Sequence, residues 1–341
     1  KASWSLDTGT MEQNLSNINS LTVGDEGPLV EELHRMLANA GFNTKETSAT
    51  FSKETELSLR SFQESRLIKI SGLCDQRTWD ALLEARYRLG DRLLYFGQPM
   101  LRGEDVSALQ RAMGSLGFNP GKVDGIFGPD TQTAVGLFQR NSGLVVDFIF
   151  GPNCLSALKK LGNRDGQRSV AILKEQERII SRVRNDEIPY IAIGDLGGLS
   201  AVVTESARLL RNAHIKTDLI QHYDVSEHSK YCNTHDVDLY VGIFPEQNEE
   251  KSISYYSAKG FESPGGASFT QLLAKELTPL FHVEIEIYGR SEQILRETRM
   301  PAIVLRIGPT EDLVAIAPQL SIALKEAVFS WFSQPFDENP S

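Results

Sequence analysis

Sliding the chain against itself by 76 residues brings Val30, Leu33, Gly41, Phe42, Phe51, Thr55, Phe62 and Gln63 onto Val106, Leu109, Gly117, Phe118, Phe127, Thr131, Phe138 and Gln139 without a gap. Ala81 and Leu82 then fall on Ala157 and Leu158. Apolar positions and glycines that recur together at one offset mark two copies of one small unit, which confines the first half of the chain to a fold made twice. Val106, Leu109, Met113 and Leu116 recur at helical spacing, and Gly117 stands where that helix should stop. Lys122 to Pro129 reads as a turn-rich loop, and Pro129 and Asp130 open a second helix with Ala134, Leu137 and Phe138 on one face. Asp147 to Gly151 is another turn, and Cys154, Leu155 and Leu158 mark a short third helix. The expectation is two small all-α three-helix domains, each with a modest core.

The residues of the second unit resemble the peptidoglycan-binding type 1 domain. The matching positions are Val106, Leu109-Gln110, Leu116-Gly117, Asp124-Gly125, Phe127-Gly128, Thr131, Phe138-Gln139, Gly143-Leu144, Asp147 and Gly151. The first unit is degenerate. Its Asp-Gly-x-Phe-Gly segment has become Ser48-Ala49-Thr50-Phe51-Ser52, and its Leu-Gln has become Leu33-His34. Leu109, Phe127, Thr131 and Phe138 are expected to hold the core and the turns. Contact with a muropeptide or peptidoglycan fragment, which the resemblance implies, then falls to the polar Asp124, Asp130 and Gln139, read here as facing solvent near the Asp124–Gly128 loop.

From Ile188 the pattern changes. Apolar runs at 188–193, 216–221, 237–244, 253–257, 283–288 and 302–308 alternate with helical stretches near 200–213, 226–234, 268–280 and 313–332. Such alternation predicts an α/β domain with a mostly parallel sheet covered on both faces. The expected organisation is a disordered segment over 1–20, repeat 1 over 21–85, a linker over 86–103 and repeat 2 over 104–161. A linking helix over 162–187, on which Val170, Leu173, Ile180 and Val183 share a face, leads to the α/β domain over 188–333 and a tail over 334–341.

The α/β half resembles the zinc-dependent N-acetylmuramoyl-L-alanine amidases of type 3. In that family two His and one Glu hold the metal and a further Glu serves as base. Zinc lowers the pKa of its bound water toward 7, and a neighbouring carboxylate takes the proton. Aligned on Ile193 to Gly198, the first ligand His is Leu196. The loop that carries the Glu ligand is expected to be deleted, because Leu199 already starts a helix. Aligned on Cys232-Asn233 through Val237-Asp238-Leu239, the second His is Phe244; aligned on Pro301 to Gly308, the catalytic Glu is Arg306. Leu and Phe cannot ligate zinc, and Arg brings a fixed positive charge to the place of a cation. The expectation is a degenerate amidase, with no catalytic residue, no metal and no cofactor.

Gly289-Arg290, the segment Ile294 to Pro301, and Tyr87 to Gly90 with Leu94-Tyr95 further resemble the actinobacterial amidase homologues that carry two peptidoglycan-binding units. That resemblance implies a cytoplasmic regulator of cell-wall precursor synthesis whose partner is the enolpyruvyl transferase MurA. Alternatives stay open: a muropeptide-binding scaffold, or an active amidase with an unrecognised site.

Composition excludes other classes. A net charge of −10 without a basic stretch argues against nucleic acid. No apolar run is long enough to span a membrane. Cys74, Cys154 and Cys232 are too few and too scattered for a disulfide framework, and the opening Lys1-Ala2-Ser3-Trp4-Ser5 has no apolar signal core, so a reducing cytoplasm is expected. The cluster His222, Asp224, His228, Cys232, His235 and Asp236 matches no standard zinc spacing. The amides of Gly194 to Gly198 ahead of a helix, with Arg306, suggest room for an anion. The plainer expectation is that Leu196 and Phe244 fill the old site and Arg306 pairs with an acidic neighbour.

Overall fold

The computed structural model describes residues 20–42, 44, 49–161, 170–185, 187–196, 198–246 and 251–336. The segment expected to be disordered lies outside them except for Ser20, as does most of the tail and the first part of the linking helix.

Repeat 1 consists of α1 (Pro28–Asn39), α2 (Lys53–Ser65) and α3 (Gln76–Glu84), and repeat 2 of α4 (Glu104–Ser115), α5 (Pro129–Asn141) and α6 (Pro152–Leu161). The first helix of each unit ends before a glycine at positive φ, 91° at Gly41 and 92° at Gly117, a conformation that any Cβ would strain. Each unit closes its own core. Val30, Leu33, Phe51, Phe62 and Trp79 pack in the first, and Val106, Leu109, Phe127, Phe138 and Leu158 in the second. An edge-to-face aromatic pair recurs in both, Phe42 on Phe62 at 5.6 Å and Phe118 on Phe138 at 5.9 Å.

α7 (Val170–Arg184) leads into the α/β domain. There follow β1 (Tyr190–Asp195), α8 (Ser200–Asn212), β2 (Lys216–Gln221), α9 (Val225–His235), β3 (Leu239–Pro245), β4 (Lys251–Ala258) and β5 (Phe261–Glu262). The chain continues through α10 (Pro264–Phe281), β6 (Glu286–Arg290), α11 (Gln293–Glu297), β7 (Ala302–Ile307) and α12 (Thr310–Ser333). The sheet is mixed, in the order β2-β1-β3-β7-β4-β5 with β6 also on β4. β2, β1, β3 and β7 run parallel, whereas β4 is antiparallel to β7.

Alternation along the strands sorts the side chains onto two faces. Ile191, Ile193, Val241, Ile243, Ile303 and Leu305 enter one core with α8, α10 and α12. Tyr190, Ala192, Tyr240, Ala302 and Val304 enter the other with α9 and α11. Into that second core repeat 2 inserts Val123 and α7 inserts Ala171, both buried.

Two boundaries differ from expectation. α10 begins at Pro264 because Ser263 caps it, its hydroxyl accepting the Gly266 amide at 3.1 Å, and proline suits the first helical position. The strand expected over 283–288 pairs only from Glu286 onward. α11 and β5 are too short to leave a periodic signal and were not expected.

Candidate functional site at the ends of β1, β3 and β7

The three positions aligned with metal and catalytic residues lie together. Phe244 and Arg306 are paired across β3 and β7, with the guanidinium carbon 5.8 Å from the ring centroid. Leu196 follows β1, and its amide donates to the Ile243 carbonyl of β3 at 3.0 Å. They form one wall of a cleft of about 1340 Å³ at the carboxyl ends of these strands. Arg77, Asp80 and Glu84 of repeat 1 and Lys122, Asp124 and Asp130 of repeat 2 line the facing walls. In open α/β sheets this is where ligands bind.

Arg306 is fully engaged. It donates to Ser254 Oγ at 3.0 Å and to Glu292 Oε2 at 2.5 Å, and its Nε lies 3.7 Å from Glu246 Oε1. The other oxygen of Glu292 lies 3.6 Å from Arg290. Glu292 is only 5% exposed. Burial works against its charge, yet Arg306, Arg77 and Arg290 outweigh that and hold the carboxyl below its ordinary range. Sequence reasoning missed Glu292, because a single acidic residue before a five-residue helix carries no pattern.

These residues do not fit zinc. A zinc site takes its ligands from thiolate, imidazole and carboxylate. Leu196 and Phe244 offer no lone pair, and Arg306 is a permanent cation. Among the described residues no group of three or more His, Cys, Asp or Glu is placed to hold a metal ion. Within the histidine-rich stretch, each residue has other work. His228 is buried, its Nδ1 2.8 Å from the Tyr240 hydroxyl and its Nε2 2.8 Å from the His222 carbonyl, and burial lowers its pKa. Asp224 caps α9, His235 stacks on Tyr231, and Asp236 pairs with Arg178.

Asp195 occupies the amides at the start of α8 that were suggested as part of an anion seat. Asp195 Oδ1 accepts from the Gly198 and Leu199 amides at 2.7 and 3.0 Å, and Oδ2 accepts from Ser200 Oγ at 3.1 Å. The chain thus supplies its own anion to the start of α8, the favourable end for negative charge. Gly194 serves packing here: a Cβ on it would lie 2.1 Å from the Tyr240 hydroxyl oxygen.

In repeat 2 the structure corrects one expectation. Gln139 does not face solvent; it is buried, donating to Asp147 Oδ1 at 2.6 Å and to the Ile149 carbonyl at 3.0 Å, and accepting the Phe148 amide at 2.9 Å. A side-chain amide can satisfy several buried backbone groups at once, so this glutamine holds the last turn closed. Gln63 does the same in repeat 1, donating to the Leu73 carbonyl at 2.9 Å and accepting the Gly72 amide at 2.9 Å. Asp124 is half-buried and accepts from Gln110 Nε2 and the Ile126 amide, both at 2.8 Å. Of the three candidate ligand contacts, only Asp130 is exposed, at the rim of the cleft.

The chain was compared with known proteins. Residues 26–82 and 102–158 each match the family described as "Putative peptidoglycan binding domain", at the offset of the internal repeat. Over 91% of its length the chain is 27% identical to N-acetylmuramoyl-L-alanine amidase CwlM of Mycobacterium tuberculosis, covering 88% of that protein. It is also 27% identical to N-acetylmuramoyl-L-alanine amidase CwlL of Bacillus licheniformis, over 45% of this chain and 49% of that one. A solved N-acetylmuramoyl-L-alanine amidase from Clostridium difficile 630 shares 15% identity over 42% of this chain and 97% of its own, with a TM-score of 0.34, a likeness too loose to bear weight. The chain is therefore similar to CwlM over most of its length, with two repeats that match the peptidoglycan-binding family ahead of an α/β domain. No described helix is long and apolar enough to cross a membrane.

Proposed function

We propose that this chain is a catalytically inactive amidase homologue that regulates peptidoglycan precursor synthesis from the cytoplasm by contact with another protein. The observation that carries the reading is the wall formed by Leu196, Phe244 and Arg306. An amidase needs a metal-bound water and a carboxylate base at this place. Here two hydrocarbon side chains and an ion pair between Arg306 and Glu292 stand instead. A chain that keeps the fold and loses the chemistry has a surface left with which to act. The partner implied by the resemblance is an enolpyruvyl transferase of the MurA type. No hydrolysis, no bound zinc and a complex with that enzyme are the expected results for the purified chain. Release of stem peptide from muropeptide, or failure to bind or alter the transferase, would refute the reading.

A second reading, a muropeptide-binding scaffold, is favoured by the intact hydrogen-bonded loop of repeat 2 around Gln110, Asp124 and Thr131. Saturable binding of muropeptide, lost in an Asp130→Ala variant, would support it. Absence of binding to soluble and wall-derived fragments alike would remove it.

A further inference from the structure

The two repeats are attached to the α/β domain by different physics. Repeat 2 shares its core: Val123 is fully buried among Tyr256, Phe261, Ile294 and Leu295. The Tyr256 hydroxyl donates to the Val123 carbonyl at 2.7 Å, and Lys122 donates to the carbonyls of Leu295 and Thr298 at 2.8 and 2.6 Å. Among the described residues repeat 1 shares none: its apolar cluster is drawn from residues between Leu21 and Ala85.

What ties repeat 1 to the α/β domain is polar and converges on one short segment, Ser291 to α11. Both oxygens of Glu84 accept from Arg296, at 2.7 and 2.9 Å. Arg77 donates to the Ser291 carbonyl at 3.0 Å, and the Ser291 amide donates to the Leu67 carbonyl at 2.8 Å. The next residue is Glu292, which Arg306 holds from β7.

Repeat 1 also meets repeat 2 through the ion pair of Arg66 with Glu104 of α4, and the covalent connection between the two localises the point of movement. Ala85 packs on the core of repeat 1 and Leu89 on that of repeat 2, leaving Arg86, Tyr87 and Arg88 between them. Beyond them Arg92 is fixed to Asp105 of α4 at 2.7 Å.

We propose that repeat 1 is a releasable lid over the cleft, latched by Glu84 on Arg296 and by the Ser291–Glu292 backbone that Arg306 holds in place. Salt does not screen the burial of apolar surface, whereas it weakens ion pairs according to their exposure, and the side chains of Glu84 and Arg296 are 24% and 16% exposed. The lid therefore opens without loss of its own core or of the packing between repeat 2 and the α/β domain, at the cost of polar contacts that include Arg66–Glu104. Opening removes the cleft wall that carries Arg77, Asp80 and Glu84 and widens access to the Leu196–Phe244–Arg306 wall. The position aligned with the family's catalytic base becomes, in this chain, part of the latch.

The test uses the full chain. Amide hydrogen exchange at Ser291 and within α2, with the radius of gyration from small-angle scattering, is followed in Glu84→Gln, in Arg77→Gln and in the control Glu32→Gln, at low and high salt. Among the described residues Glu32 pairs with Arg35 inside repeat 1, in the exposed pair at 2.5 Å. Loss of a bidentate charged pair is expected to speed exchange at Ser291 by about tenfold or more and to expand the particle, while α2 stays protected. High salt should do the same to the parent chain to a smaller degree, because the pair is partly buried. Unchanged Ser291 exchange and size in both latch variants at either salt would overturn the proposal. So would loss of α2 protection together with Ser291, which would mean unfolding, or an equal response in Glu32→Gln.

Discussion

Gln110 and Asp124 hold each other in both directions: the Gln110 side-chain amide donates to Asp124 Oδ1 at 2.8 Å, and its carbonyl accepts the backbone amide of Asp124 at 3.0 Å. The same glutamine accepts the Gly125 amide at 2.8 Å and donates to the Ile126 carbonyl and Thr131 Oγ1, both at 3.1 Å. The Leu-Gln and Asp-Gly parts of the motif are thus one hydrogen-bonded clasp. In repeat 1 both have been lost together. Among the described residues His34 contacts Thr55 Oγ1, at 2.8 Å. Gln110→Ala orphans several buried groups and is expected to cost about 2–3 kcal/mol. His34→Ala should cost about 1 kcal/mol or less, by the same rule for a single bond. Urea unfolding of the two variants checks this, and equal losses would contradict the clasp.

Gly194→Ala should destabilise the α/β domain without touching the wall of the cleft. The added carbon meets the Tyr240 hydroxyl at 2.1 Å and His228 Nδ1 at 2.6 Å, both rigidly placed. Overpacking of this kind costs about 1–3 kcal/mol. A second substitution, Tyr240→Phe, should recover part of the loss, because the oxygen in the way is gone. Thermal melts of the single and double variants read the outcome.

The Glu292 carboxyl sits below its ordinary pKa in the folded chain, since the guanidiniums outweigh its burial. A depressed carboxyl contributes stability that is present above its unfolded pKa, about 4.3, and lost as the pH falls through the folded value. Arg306→Leu breaks a buried pair and should cost about 3–5 kcal/mol near pH 7. The gap between parent and variant should narrow as the pH falls below the ordinary carboxylate range and Glu292 takes up its proton. A constant gap across that range would show that Arg306 acts only by packing.

Treatment with a strong chelator should leave the melting temperature unchanged, and elemental analysis of the purified chain should return zinc well below one atom per molecule. A metal bound to the folded state alone raises stability with its concentration. A melting temperature that climbs with added zinc would therefore contradict the chemistry of Leu196, Phe244 and Arg306.

Much of this architecture was legible because it rests on periodicity. The 76-residue offset located both helical units, and the α/β alternation located the sheet, since apolar spacing follows burial. The assembly of Leu196, Phe244 and Arg306 on one wall followed from a family pattern whose strands β1, β3 and β7 are neighbours here. What stayed hidden depends on pairing across long separations. Nothing in the neighbourhood of Glu84 points to Arg296, nor of Glu292 to Arg306. The misreading of Gln139 has the same origin: a polar residue looks solvated until the turn it closes is folded over it.

The burial of Val123 within the second face of the sheet has a further consequence. A boundary drawn at residue 161, where repeat 2 ends, passes through a single cooperative block of packing. Repeat 2 expressed alone would expose that valine and the backbone carbonyl beneath it, and the α/β half expressed alone would carry a hole of matching shape. Fragments cut at the family border are therefore expected to aggregate, whereas a cut between Ala85 and Leu89 should yield two soluble pieces. The natural seam of this molecule falls inside the repeated region, between one copy and the other.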